Sequence, residues 1–336
     1  RLSRNPDYWG RDISFRRGTN NFDEIRLDFY ADGSVQFEAF KAGESSSFRE
    51  LNAERWENSY DFDAVSDGDV IKSVIPHQRP SGITGFVMNT RLPKFNDWRV
   101  REALIAAFNF EFINQANTGG RQNRITSYYS NSVLSMKPGP ASGRELEFLA
   151  PHKANLLPGT LEGYSLPKSD GTARNRKNIR RADELLNQAG WTVQDGLRRN
   201  DQGQAFEIVT VLKQGDTESQ SMMDIYQQAL ERLGIKLSSE VLDSAQYKER
   251  TQIYDFDMAY YRRGLSLSPG NEQMLYWGAD GIKKPGTRNW MGMNSPAAED
   301  MINRLVSSKS HDDFLAAARA LDRGLIAGRY VIPIHT

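Results

Sequence analysis

Hydrophobic residues recur along the chain with two different periods. Alternating apolar and polar residues, or a short apolar run, predict β-strands, whereas apolar residues three or four positions apart predict one buried face of a helix. The predicted strands span residues 24–30, 70–75, 86–88, 206–212, 235–242, 256–261 and 330–334. The predicted helices span residues 35–42, 51–60, 98–108, 143–149, 176–189, 219–233, 247–252, 297–307 and 312–325. Strands and helices alternate in the second half of the chain, which favours an α/β fold.

The segment 86–109 shows both patterns in succession. It opens as an apolar strand, and Asp97 is then placed to cap a helix. Apolar side chains recur in that helix at three- and four-residue spacing, so one face is predicted to be buried. This pattern leaves Arg99, Arg101 and Glu102 off the buried face.

Composition excludes several classes of function. The 336 residues include 43 basic and 43 acidic side chains, so no overall field favours nucleic acid or an anionic membrane. No run of about eighteen apolar residues is present, so no membrane span is predicted. The chain has no cysteine, and its four histidines show no metal-ligand spacing. Phosphate-binding and dinucleotide-binding glycine motifs are absent as well, and we expect neither a metal nor a cofactor.

The richest candidate for a binding site is the segment 257–273. Side chains alternate along its strand, so Tyr260 and Arg262 share one side, and Tyr261 and Arg263 share the other. Ligands of α/β sheets bind at the carboxyl ends of strands, where a loop rich in glycine and serine follows here. Arginine offers paired donors for a carboxylate, and tyrosine offers a flat face with a polar tip. The loop adds further hydrogen-bonding groups: Ser266, Ser268 and Asn271.

The charges of this segment predict the charge of its ligand. Two arginines are present, and no acid occurs in the loop before Glu272, so a carboxylate finds a partner here and an ammonium finds little. Because side chains alternate, only one arginine faces the ligand from the strand itself. We favour Arg263 over Arg262, since it borders the glycine-rich loop.

Three motifs match one known family. The first is N-T-x-x-P-x-F-x-D-x-R-V-R-x-A, the second is S-Y-Y-S-N-S at 127–132, and the third is L-L-x-x-A-G-W at 185–191. The chain thereby resembles the family 5 extracellular solute-binding proteins, the dipeptide and oligopeptide receptors of ABC importers. The second motif points to the subgroup that resembles microcin C and oligopeptide receptors. The first motif is carried by Asn89, Thr90, Pro93, Phe95, Asp97, Arg99, Val100, Arg101 and Ala103.

The resemblance implies an α/β fold of the two-lobed periplasmic binding protein type II class, with one lobe incomplete. We expect residues 1–80 to be a part of lobe one and residues 81–327 to form lobe two around a mixed sheet. Residues 328–336 are expected to return as a strand to lobe one. The opening R-N-P-x-Y-W segment lies well inside lobe one in this family. We therefore interpret the chain as a C-terminal fragment that lacks the signal peptide and the start of lobe one.

The resemblance also implies a function. It adds Asn89, Arg91 and Arg250 as residues of the cleft between the lobes. The implied protein is a periplasmic monomer that binds a peptide or peptide-like solute and delivers it to an inner-membrane ABC permease, without catalysis and without nucleic acid. Two alternatives stay open. One is an α/β hydrolase acting on sugars or peptides, and the other is a structural or interaction module with no small ligand.

Overall fold

The computed structural model describes residues 1–30 and 32–335, and the chain divides into two compact units, Arg1–Lys72 and Ser73–Thr336. The strands of the described residues are β1 (Leu2–Ser3), β2 (Glu24–Ile25), β3 (Ile83–Met88), β4 (Thr192–Gln194), β5 (Leu197–Arg199), β6 (Glu207–Lys213), β7 (Lys236–Leu242), β8 (Met258–Arg263) and β9 (Val331–Pro333). The α-helices are α1 (Gly33–Lys41), α2 (Ala53–Asn58), α3 (Asp63–Ser66), α4 (Trp98–Ala107), α5 (Phe110–Thr118), α6 (Gly143–Leu149), α7 (Arg176–Gln188), α8 (Thr217–Glu231), α9 (Ser244–Gln252), α10 (Glu272–Trp277), α11 (Pro296–Ser307) and α12 (His311–Ala327). The predicted α/β class is confirmed.

The smaller unit, Arg1–Lys72, contains a cluster of aromatic side chains. The ring of Phe37 lies 5.6 Å from that of Phe48 and 5.3 Å from that of Tyr60. Tyr60 donates a hydrogen bond of 3.2 Å to Glu50, and burial, with the charge of Glu50, raises the pKa of Tyr60 to about 12. The unit thus has a small core of its own, built from rings rather than from a sheet.

Two strands predicted near the start of the chain do not form as expected. Of residues 24–30 only β2 is a strand, and the side chain of Phe29 is 92% exposed. Residues 70–75 form no strand, and Ile71 is 83% exposed. Both segments have the composition of a strand, but β2 pairs only with the two residues of β1, and residues 70–75 have no partner strand among the described residues. A strand without a neighbour leaves its backbone groups unpaired, so composition alone does not form one.

The larger unit is built on a mixed sheet, five-stranded in the described residues, with the order β7-β6-β8-β3-β9. β6 is parallel to β7 and β8, whereas β3 is antiparallel to β8 and β9. Helices cover both faces. One buried cluster joins the sheet to α4, α5, α7 and α8, and the other joins it to α6, α10, α11 and α12.

The last strand, β9, lies in this sheet. Val331 pairs with Val87 and Pro333 pairs with Gly85, and the whole strand is buried. A Cβ atom at Gly85 would lie 2.1 Å from the carbonyl oxygen of Ile332, so glycine is what permits this close pairing. The structure therefore corrects the expectation that residues 328–336 return to another lobe.

Helix α4 is buried on every side, which corrects the prediction that Arg101 and Glu102 lie off its buried face. Both are nearly inaccessible. The guanidinium of Arg101 donates to the carbonyls of Gly328 and Phe95, whereas Glu102 lies where α7 packs against α4. Glu102 accepts hydrogen bonds from the Arg329 Nε atom (2.6 Å), the Tyr164 hydroxyl (2.6 Å) and the Arg181 Nη2 atom (2.7 Å). A buried carboxylate with such partners is a structural element of the unit.

Candidate functional site

β6, β7, β8 and β9 all end at the same edge of the sheet, which we call the carboxyl edge. β6 and β7 run parallel to β8, and β9 has the direction of β8 because both are antiparallel to β3. β3 begins at this edge, where Ile83 pairs with Arg263. Ligand sites in α/β sheets lie at such an edge. The predicted segment after β8 is therefore next to the segments that follow β6, β7 and β9.

Arg262 and Tyr260 share one face of β8, as the sequence predicts. Tyr260 packs against the cluster on the α8 side of the sheet, with its ring 6.0 Å from that of Phe86. Burial raises the pKa of Tyr260 to about 12. The positive charge of Arg262 acts to lower this pKa, and the negative charges of Asp216 and Glu218 act to raise it. The side chain of Arg262 is exposed and makes no ion pair or hydrogen bond within the part of the chain described. This face thus presents one accessible cation beside two acids.

Arg263 and Tyr261 share the opposite face and are more enclosed. The Arg263 guanidinium lies 5.3 Å from the ring centroid of Tyr261 and 5.4 Å from that of Tyr276. Its Nε atom is buried and has no hydrogen-bond partner among the described residues. The Tyr261 hydroxyl donates to the Arg288 carbonyl at 3.0 Å, and burial raises the pKa of Tyr261. The cation of Arg263 is already held between two aromatic rings.

The loop after β8 is exposed where the sequence predicts hydrogen-bonding groups. Ser266, Ser268 and Asn271 are all accessible, and the Ser268 amide donates to the Ser266 hydroxyl oxygen at 3.2 Å. Gly82 supports this loop from the start of β3, where its φ is +75°. A Cβ atom there would lie 2.2 Å from the Arg263 carbonyl oxygen. Glycine at position 82 is therefore needed for the backbone to approach β8 so closely.

Charged groups that the sequence did not single out also lie at the carboxyl edge. Asp216 follows β6, and Glu218 lies in the first turn of α8. The Glu218 Oε1 atom is 2.8 Å from Nε2 of His335, which follows β9. The Tyr247 hydroxyl donates to the carbonyl of Tyr260 at 2.7 Å. The sequence offered one signal for these residues, which is that Asp216 follows a predicted strand. The local sequence does not show which strands are neighbours in the sheet, so it could not place Asp216 beside the segment after β8.

Asn89 and Arg91 lie at the opposite edge, where β3 ends, and the structure does not bring them to the predicted cleft. The Asn89 amide donates to the carbonyls of Tyr254 (2.9 Å) and Phe256 (3.0 Å). The Arg91 guanidinium donates to four carbonyls and lies 3.6 Å from the ring centroid of Tyr254. Arg91 also lines a cavity of about 630 Å³ at this edge. Its donors are already used by the fold, so it offers a ligand little.

Arg250 is likewise used by the fold. Its Nη1 atom lies 2.7 Å from a carboxylate oxygen of Glu240, and its Nε atom lies 2.7 Å from one of Asp255. These contacts connect the end of α9 to β7 and to the turn before β8. These ion pairs already use donors of Arg250, so Arg250 offers a ligand few free donors.

A buried aspartate on α12 holds the S-Y-Y-S loop that adjoins this edge. Asp322 accepts hydrogen bonds from the Ser127 hydroxyl (2.5 Å) and from the amides of Tyr128 (3.0 Å) and Met136 (2.9 Å). The carbonyl of Tyr128 in turn accepts a bond of 3.0 Å from the Gly82 amide. Burial raises the pKa of Asp322 from 3.8 to about 6, although these hydrogen bonds act to lower it.

The raised pKa of Asp322 predicts a pH dependence of stability. Because its pKa is higher in the folded state than in the unfolded state, its contribution is largest below about pH 4 and is lost as the pH rises through about 6. We expect the free energy of unfolding of the native protein, relative to that of Asp322→Asn, to fall over this interval. The two values come from urea denaturation at each pH. A difference that does not change with pH would contradict the prediction.

No group of three or more histidine, aspartate or glutamate side chains within residues 1–30 and 32–335 is arranged to hold a metal ion. Across the same residues, none of the helices is both long and apolar enough to cross a membrane.

Comparison with known proteins identifies the family. The model of the bacterial extracellular solute-binding proteins, family 5 Middle, matches residues 1–284. The chain belongs to this family. The predicted family is therefore confirmed, whereas the microcin C subgroup stays a prediction.

The chain is similar to curated proteins named as binding proteins and to solved structures of the same fold. A putative binding protein of Brucella melitensis is 40% identical over 333 residues, which are 99% of this chain and 54% of the relative. The probable peptide-binding protein YejA of Agrobacterium fabrum is 36% identical over 334 residues, 98% of this chain and 54% of the relative. The oligopeptide-binding protein AppA of Bacillus subtilis, solved with a nonapeptide, has a TM-score of 0.69 at 16% identity, over 91% of this chain and 53% of that one. The predicted fold is thereby confirmed, and the chain spans about half the length of the curated relatives it matches.

Proposed function

We propose that the protein containing this chain is a periplasmic receptor that binds a peptide or peptide-like solute. It delivers that solute to an ABC permease of the inner membrane, as a monomer and without catalysing a reaction. The family and the name of the YejA relative support a binding role. The observation that carries the proposal is the carboxyl edge, where an accessible arginine, a tyrosine and two acids gather at the ends of neighbouring strands. We also propose that residues 1–72 belong to lobe one.

We propose Arg262, rather than Arg263, as the partner of a carboxylate on the solute. Arg262 is exposed and unpaired within the described residues, so a ligand reaches it without breaking another contact. Arg263 lies between two rings, and its Nε atom is inaccessible. A carboxylate therefore reaches the exposed guanidinium of Arg262 more easily than the partly buried one of Arg263.

The acids at the carboxyl edge change the expected charge of the solute. Asp216 and Glu218 supply the negative charge that the loop after β8 lacks, and both act on Tyr260 together with Arg262. A zwitterionic solute therefore fits this edge better than a purely anionic one. Peptides with a free amino group and a free carboxylate belong to that class.

Ligand carried through purification tests this function. We expect mass spectrometry of the full-length native protein, released by mild denaturation, to detect peptides or peptide-like solutes with free carboxylates. Calorimetry then compares such a solute with its amidated form, which we expect to bind more weakly. Turnover of the solute would favour the α/β hydrolase instead. An empty protein that binds no peptide at all would contradict the proposal.

A further inference from the structure

The start of α7 has a strongly basic surface, although the chain as a whole carries no net charge. Residues 174–181 contain five basic side chains and no acid: Arg174, Arg176, Lys177, Arg180 and Arg181. Such a run is often no more than a solvated helix face. Here, however, several of these arginines line a concavity, which makes the surface a candidate binding site.

The concavity has a volume of about 500 Å³ and is open to solvent. Arg174, Arg176 and Arg180 line it from the α7 side, and Arg232, at the end of α8, lines it from the other. The Arg232 Nη1 atom donates to the carbonyl of Ala173 at 2.9 Å, which fixes the end of α8 against the segment before α7. Four guanidinium groups are thus gathered around one depression.

The positive charge of this concavity is not neutralised within the described part of the chain. Arg174, Arg176 and Arg180 are exposed and form no ion pair there. Asp183 is the acid that lines the concavity, and its carboxylate is paired with the fully buried side chain of Arg198. Asp170 is fully exposed and interacts with Arg176 only through its field. The concavity therefore carries a clear excess of cations.

The concavity is distinct from the proposed solute site. Leu233, which lines it, precedes the first residue of β7, whereas the carboxyl edge lies at the far end of that strand. β7 has seven residues, so at about 3.3 Å per residue the two regions are separated by about 20 Å along the sheet. A ligand at the carboxyl edge does not reach these arginines.

We propose that this concavity binds a phosphoryl group. Guanidinium is planar and matches two oxygens of a phosphate at once, and several guanidiniums can share one phosphoryl group. A single carboxylate has two oxygens and one charge, which satisfies one arginine and leaves the others unpaired. A phosphoryl dianion has three oxygens and more charge, so it matches a cluster of this size better. The group comes either from a soluble phosphate monoester or diphosphate, or from a lipid whose headgroup is a phosphate monoester.

Pyrophosphate is the probe that tests the concavity. We expect calorimetry at low ionic strength to detect saturable binding to the native protein, and an affinity lower by about tenfold or more in the double variant Arg176→Ala with Arg180→Ala. Lys177→Ala is the matched control, because Lys177 is on the same helix but does not line the concavity. The control is expected to bind nearly as well as the native protein. Absence of saturable binding, or an equal loss in the control, would overturn the proposal.

Vesicles distinguish the two sources of the phosphoryl group. Co-sedimentation is measured with vesicles that contain phosphatidic acid, whose headgroup is a phosphate monoester, and with neutral vesicles of phosphatidylcholine. Binding to the anionic vesicles that the arginine variant loses and Lys177→Ala keeps would support a lipid headgroup, whereas pyrophosphate binding without vesicle binding would support a soluble phosphate. Vesicle binding without pyrophosphate binding would overturn the concavity as a site, since it would reflect only the surface field. Solute binding at the carboxyl edge is expected to stay unchanged in every variant.

Discussion

Arg262→Ala, made in the full-length native protein, is expected to lose most of its affinity for a carboxylate-bearing solute. Removing one partner of a charge pair that becomes buried typically costs about 2–5 kcal/mol, or about 30-fold to several-thousand-fold in affinity. Arg262 is exposed and unpaired within the described residues, so the solute would supply its partner. Isothermal calorimetry with the native solute measures the loss.

Arg263→Ala is the matched comparison, one residue away on the same strand. We expect it to bind nearly as well as the native protein but to unfold more easily, because its guanidinium lies between the rings of Tyr261 and Tyr276. Amidation of the solute should weaken binding to the native protein and have little further effect on Arg262→Ala, since the two changes remove the same pair. If both variants bind normally, the solute site lies elsewhere. If only Arg263→Ala loses binding, then Arg263, which the sequence favours, is the partner of the carboxylate, and Arg262, which the structure favours, is not.

The regular elements of the larger unit could be predicted from local pattern because long amphipathic helices and buried strands carry strong periodicity. The predicted helix 176–189 and strand 235–242 agree with α7 and β7 to within about one residue. The strand predictions for residues 70–75 and for most of residues 24–30 were wrong, for a physical reason. A strand is completed by a neighbour, and the sequence of a segment does not show whether the neighbour is present.

Residues of the candidate site could be predicted only where they come from a single segment of the chain. Alternation along β8 placed Tyr260 with Arg262 and Tyr261 with Arg263, as the structure has them. Asp216 and His335 were missed, because they reach the carboxyl edge through the order of the strands, which is not local information. Asn89 was assigned to the cleft by resemblance, but its amide satisfies two buried carbonyls at the opposite edge.

Glu102 shows most clearly how burial changes the meaning of a charge in the sequence. The helical pattern left Glu102 on the solvent side of α4, whereas the structure buries its side chain to 1% exposure. Hydrophobic periodicity finds one buried face, and it does not detect a second face that is covered by α7 and satisfied by ion pairs. A charged residue on such a face looks exposed until the covering helix is known.

Glu102→Ala is therefore expected to destabilise the larger unit severely. Arg329, whose side chain is 5% exposed, would keep its charge and lose its carboxylate, and the Tyr164 hydroxyl would lose its acceptor. Breaking one side of a buried pair costs about 3–5 kcal/mol, which in a unit of this size lowers the melting temperature by about 10 °C. Urea denaturation followed by circular dichroism measures the change. Glu147→Ala is the matched control, because its pair with Arg144 is exposed on both sides and is worth about 1 kcal/mol or less. Equal stability of the two variants would mean that the Glu102 network contributes no more than a surface pair, and the buried carboxylate would then need a role other than stability.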